Sequence, residues 1–122
     1  MSNKMKYVED AMNSDVSVAI KYVHKFEEMM QNHLEKSFAI AVTGVNEANM
    51  ILKKLNVSAT IYSITSDERF KQLENGALIL TDDETIANKI KEQLKEYTDL
   101  IYSPVLAAIG ISILEDNVAV SK

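Results

Sequence analysis

Phe38-Ala39-Ile40-Ala41-Val42, ending in Thr43-Gly44, and Ala77-Leu78-Ile79-Leu80, ending in Thr81-Asp82, decide how this sequence reads. Each is an unbroken apolar run too short for a helix. A strand with one wet face alternates apolar and polar residues, so an unbroken run reads as a strand covered on both faces. Helix signals follow both runs at once. Asn46-Glu47-Ala48 opens a segment in which Ala48, Ile51, Leu52 and Leu55 keep helical spacing. Thr81-Asp82-Asp83-Glu84 reads as a capping box, the Thr81 hydroxyl and Glu84 carboxylate satisfying backbone donors reciprocally. Ile86, Ile90, Leu94 and Tyr97 then form one side of a helix.

Working outward, Ala59 to Ile64 is a further strand, rich in residues that favour a pleated surface. Ser66 caps a short helix carrying Phe70 and Leu73, closed by Asn75-Gly76. Leu100-Ile101-Tyr102 is a fourth strand, and Ser103-Pro104 a cap followed by proline at the first helical position. A turn or two of helix ends at Gly110. Ile111 to Leu114 and Val118 to Val120 pair as a terminal hairpin. Upstream, residues 15–36 form a long amphipathic helix with Val16, Ala19, Val23, Phe26 and Met30 along one stripe. Residues 1–14 are polar and mixed and read as a flexible arm, leaving 15–122 as a single domain. Strands alternating with helices imply βαβ crossovers. The expected fold class is α/β: a small, mainly parallel, Rossmann-like sheet of order 2-1-3-4, flanked by helices.

The chain has 122 residues, 47% of them hydrophobic, enough for one domain to bury a core without staples. The absence of cysteine excludes disulfides, thiolate metal sites and cysteine nucleophiles. No run approaches the roughly 18 apolar residues that span a bilayer, so no membrane insertion is expected. Glu9 and Asp10 follow the basic start too closely for a signal peptide, and a cytoplasmic location is the expectation. A net charge of −5 disfavours nucleic acid, whose affinity comes largely from phosphate contacts, while leaving room for a local basic face.

In an open parallel sheet, ligands bind beyond the carboxyl ends of the strands. That places Thr43, Gly44, Asn46 and Glu47 at a candidate ligand site, facing Thr81, Asp82 and Asp83, with Ser103 from the fourth strand. The plainer account makes these residues helix caps and turns. No glycine-rich phosphate loop is present, and Asp82-Asp83-Glu84 suits a helix start without any metal. His24 and His33 do not share a helix face as a chelating pair. No catalytic residue, metal site or cofactor is assigned. The long helix offers more. Val16, Val18, Ile20, Val23, Phe26, Met29 and Met30 form two adjoining apolar stripes, one to cover the sheet and one left for a partner, most simply a second copy.

Residues 38–105 also resemble a known family. Ala39-Ile40-Ala41-Val42-Thr43-Gly44, then Gly76-Ala77-Leu78-Ile79-Leu80-Thr81 with Glu84-Thr85-Ile86-Ala87, then Ile101-Tyr102-Ser103-Pro104, are similar to the small Rossmann-like protein of the central stalk in archaeal and vacuolar-type rotary ATPases. The resemblance implies a Rossmann-like domain that docks in a larger assembly. The long amino-terminal helix and the lack of a carboxyl-terminal helix depart from that family. Gly44-Val45-Asn46-Glu47 is similar to the Gly-x-Asn-Glu turn of ribosomal proteins that bind RNA kink-turns, which implies RNA contact by Asn46 and Glu47; Met50 stands where that family has lysine. The leading expectation is a non-catalytic interaction module docking on a protein partner or on itself as a homodimer. An RNA-binding domain and a small-ligand sensor at the strand ends are the alternatives.

Overall fold

Three strands pair, and they pair antiparallel. The computed structural model describes residues 4–71, 73 and 75–121, and of the side chains within these helices those of Lys4, Val16 and 117–121 are not described. The elements run α1 (Lys4–Asn13), α2 (Val16–Leu34), β1 (Phe38–Val42), α3 (Val45–Leu55), β2 (Thr60–Ser63), β3 (Ala77–Thr81), α4 (Glu84–Glu96) and α5 (Pro104–Ser121), with short 3-10 turns at 64–66, 68–70 and 98–100.

The expected parallel, Rossmann-like sheet of order 2-1-3-4 is therefore overturned: the order is β1-β3-β2, with β3 antiparallel to both neighbours. β1, α3 and β2 form a βαβ unit whose two strands are split by β3. The expected crossover helix at Ser66–Leu73 does not form. Asp67 accepts from the Arg69 backbone and guanidinium and from the Tyr62 hydroxyl, which folds the segment into tight turns beside β2. Ile64 N–H then donates to the Gly76 carbonyl at 3.0 Å and closes the loop as a hairpin.

Helices cover the sheet on both sides, which is why β1 and β3 are almost wholly apolar although antiparallel. Ile40, Val42, Ala77 and Ile79 meet α3 and α4 through Ala48, Ile51, Leu52, Ala87, Ile90 and Leu94. Ala39, Ala41, Leu78 and Leu80 face the other way, toward Val23, Phe26 and Met30 of α2 and Ala107, Ala108 and Ile111 of α5. Unbroken hydrophobicity reports two covered faces; it does not report strand direction.

Both ends of the chain also differ from expectation. Residues 1–14 are not a loose arm where described: α1 docks on α5, burying Ala11, and the Tyr7 hydroxyl donates to Glu115 at 2.9 Å. The expected terminal hairpin is replaced by α5, a long helix at the carboxyl end of the chain. Its isoleucines suggest strand, but the segment is helical, its apolar residues up to Leu114 packing with α1, α2 and one face of the sheet. Gly110 is mid-helix rather than a terminator. A Cβ there would sit 2.6 Å from the Phe26 ring, so glycine is what lets α5 and α2 approach.

The cap of α4 shifts as well. Asp83, not Thr81, is the N-cap, its carboxylate accepting from Thr85 N–H at 2.8 Å and Ile86 N–H at 3.2 Å. Thr81 closes β3, and its hydroxyl accepts from Asp83 N–H. Replacing Asp83 by alanine is expected to cost about 1 kcal/mol, read as a lowered urea midpoint, and Thr81→Ala less. Equal losses at the two sites would contradict this assignment.

Candidate functional site

Antiparallel pairing breaks up the site that the sequence places at the strand ends. Phe38 pairs with Thr81 and Val42 with Ala77, so Thr43 and Thr81 lie at opposite ends of the sheet, about 16 Å apart at the rise of a strand. Asp82 accepts from Ser37 N–H at 2.8 Å and lies 3.8 Å from the Lys36 ammonium, tying down the start of β1. These two contacts hold its carboxyl below the usual range, the hydrogen bond from Ser37 first. Asp83 is occupied as a cap. Ser103 likewise caps α5, its hydroxyl accepting from Leu106 N–H.

Gly44, Asn46 and Glu47 do come together, in a hollow of about 260 Å³ shared with Ser63, Thr65, Asn75 and Gly76. Gly44 is the N-cap of α3, and the Glu47 carboxylate folds back over it into the space a Cβ would occupy. The hollow is polar and open, and no lysine or arginine is among its described lining residues. Thr43 lies outside it, its N–H donating to the Leu100 carbonyl at 3.0 Å.

The α2 residues divide by burial. Val23, Phe26 and Met30 are core residues of the chain itself, Ile20 and Met29 are half-buried, and Val18 is 49% exposed. The Val16 side chain lies outside the described residues. The helix is wide because it sits between the sheet and α5, so Phe26 and Met30 have no surface to offer a partner, and Val23 shows only at the wall of the cleft between α2 and α4.

A second opening lies elsewhere. A cleft of about 480 Å³ runs between α2 and α4 along the outer edge of β1. Ile20 and Val23 of α2, Ile40 of β1, Leu94 of α4 and Ile101 give it apolar walls; His24, Glu27, Lys91, Lys95 and Thr98 are its polar members. It exists because the expected fourth strand shrinks to one bridge, Ile101 opposite Val42. Side chains complete the edge instead. Glu27 accepts from Ala41 N–H at 2.6 Å and Gln31 from Ala39 N–H at 3.1 Å. The other Glu27 oxygen lies 3.1 Å from His24 Nδ1, and this hydrogen bond raises the His24 pKa. A buried carboxylate held by a backbone N–H and an imidazole is thus set into an otherwise apolar wall, with two lysines at the rim.

The sequence carried one signal for this cleft: Glu27 lies close to an apolar stripe. Its partner Ala41 is far off in the chain, so periodicity alone does not reveal the pairing. Among the described residues no group of three or more histidines, cysteines or carboxylates is placed to hold a metal ion, and no helix is long and apolar enough to cross a membrane. No protein-family model, curated protein or solved structure matches the chain.

Proposed function

We propose that the chain is a non-catalytic interaction module that uses the cleft between α2 and α4 to take an apolar side chain of a partner protein flanked by a carboxylate. The observation that carries this reading is that Lys91 and Lys95 join the apolar residues lining the cleft, the Lys95 ammonium also meeting Glu92 at 2.9 Å. Recognition sites of this size bury apolar surface for affinity and use a few placed charges for orientation. Glu27 does not oppose an anion at full strength, because Ala41 N–H and His24 already engage its oxygens. The same engagement leaves it poorly suited to act as a base. The RNA alternative draws no support from the Asn46–Glu47 hollow, whose described lining holds no cation to meet phosphate.

Anilinonaphthalene sulfonate, an apolar body with one anionic end, tests the chemistry. Its fluorescence is expected to rise on binding the folded chain. Lys91→Glu combined with Lys95→Glu is expected to weaken binding about tenfold, two rim charges being reversed. Equal binding by the wild type and a folded double variant defeats the proposal. Competition then separates partners. Displacement by a short peptide such as acetyl-Asp-Leu-Phe-Asp supports a protein partner, whereas displacement by decanoate alone transfers the site to a small acid and overturns the docking reading.

A further inference from the structure

The sheet has two edges, and among the described residues only one is met by groups along its length. The outer edge of β1 is met by Glu27, Gln31, Leu100 and Tyr102. The other edge is β2. Tyr62 pairs with Leu78, and Ile64 N–H donates to the Gly76 carbonyl, so residues 60, 62 and 64 direct their backbone groups toward β3. Those of Ala59, Ile61 and Ser63 therefore point away from the sheet. Among the described residues only the Ser66 hydroxyl meets them, donating to the Ser63 carbonyl at 2.6 Å. Sheet proteins blunt such an edge with a very short strand, charge, proline, a bulge or a covering element, and of these β2 has only its length of four residues. From Asn56 to Ser66 this sequence has no charged residue and no proline, and the β2–β3 register runs without a bulge.

We infer that β2 pairs antiparallel with β2 of a second copy of this chain, about a twofold axis through Ile61, making one continuous sheet from two three-stranded ones. In that register Ile61 exchanges both hydrogen bonds with Ile61 of the second copy, and each Ser63 N–H donates to an Ala59 carbonyl across the axis. Thr60 lies opposite Tyr62 twice, a β-branched residue against an aromatic one. The helix layer favours a second copy over an unrelated strand. α3 packs on β2 and runs against it, its first turn near Ser63 and its last near Val57. The axis sets the two α3 helices side by side and antiparallel. Lys53 in the last turn of one then comes opposite the first turn of the other, which carries Glu47, and the helix dipoles oppose. The uncharged edge also lets two chains of net charge −5 meet with no charged residue on the paired strands.

Sedimentation equilibrium of the full chain over the micromolar range tests this, with Ser63→Pro as the separating variant. Ser63 has φ −75°, which proline adopts, and its N–H faces outward, so no bond to β3 is lost. Wild type is expected to be a dimer. Ser63→Pro is expected to keep its far-UV spectrum and unfold cooperatively, with the dimer dissociation constant raised at least about tenfold for two lost symmetry-related hydrogen bonds. Thr60→Lys, at an exposed position, gives a second route to the same outcome by placing charge on the edge. A monomeric wild type, open-ended growth in place of a closed dimer, or a folded dimer in either variant that binds as tightly as wild type overturns the inference.

Discussion

Phe26→Ala is expected to destabilise the chain by about 3–5 kcal/mol, the largest loss from a single truncation here. Phe26 is fully buried on the inner face of α2. Its ring stacks on Tyr102 at a centroid distance of 5.9 Å and meets Phe70 edge-on at 5.8 Å. Gly110 of α5 closes on its remaining side. Removing the ring opens a cavity where α2, α5 and the loop after β2 meet, and none of these can collapse without losing contacts elsewhere. Urea denaturation followed by circular dichroism measures the loss, and an unchanged m-value assigns it to stability. Val18→Asp provides the contrast: at 49% exposure on the same helix it is expected to stay within about 0.5 kcal/mol of wild type. Similar losses at both positions would mean that α2 is rotated from the orientation described.

The second large effect is expected at the centre of the sheet, where Ile79→Ala should cost about 2–5 kcal/mol. Ile79 is fully buried on the middle strand, paired with Ile40 on one side and Ile61 on the other. All three point toward α3 and α4. Truncation therefore removes the middle of a three-residue row across the strands and leaves a void under two helices. The same truncation at Ile61, half-buried on the edge, is expected to cost less. This ordering follows from β3 being central. The expected order 2-1-3-4 would make both strands interior and the two losses alike, so a stability loss for Ile40→Ala equal to or above that for Ile79→Ala would contradict the observed strand order.

Much of the local structure was legible in the sequence. The runs 38–42 and 77–80 are strands, and the segments behind them are helices, because an unbroken apolar run and a stripe at helical spacing are read from neighbouring residues. α2 was legible for the same reason, and so was the burial of Ile40 and Ile79. The candidate site was much less so. Gly44, Asn46 and Glu47 gather because they adjoin in the chain, whereas the cleft depends on Glu27 meeting Ala41 and on Ile101 stopping at one bridge, contacts between elements remote in sequence.

Sequence by itself determined which segments are apolar on which faces, where α2, α3 and α5 start, and that the sheet is covered on both sides. Tertiary structure alone decided strand direction, strand order and the state of residues 111–121. The physical reason is common to all three. Side-chain pattern encodes how much of a segment is buried, and a strand buried on both faces has the same pattern whether its neighbour runs with it or against it. Direction was settled by the Asp67 turn and the Ile64–Gly76 closure, which return the chain as a hairpin. Likewise Ile111 to Leu114 carries the composition of a strand. It is helical because it packs on α1 and α2, and a helix satisfies its backbone within itself where no strand edge lies beside it.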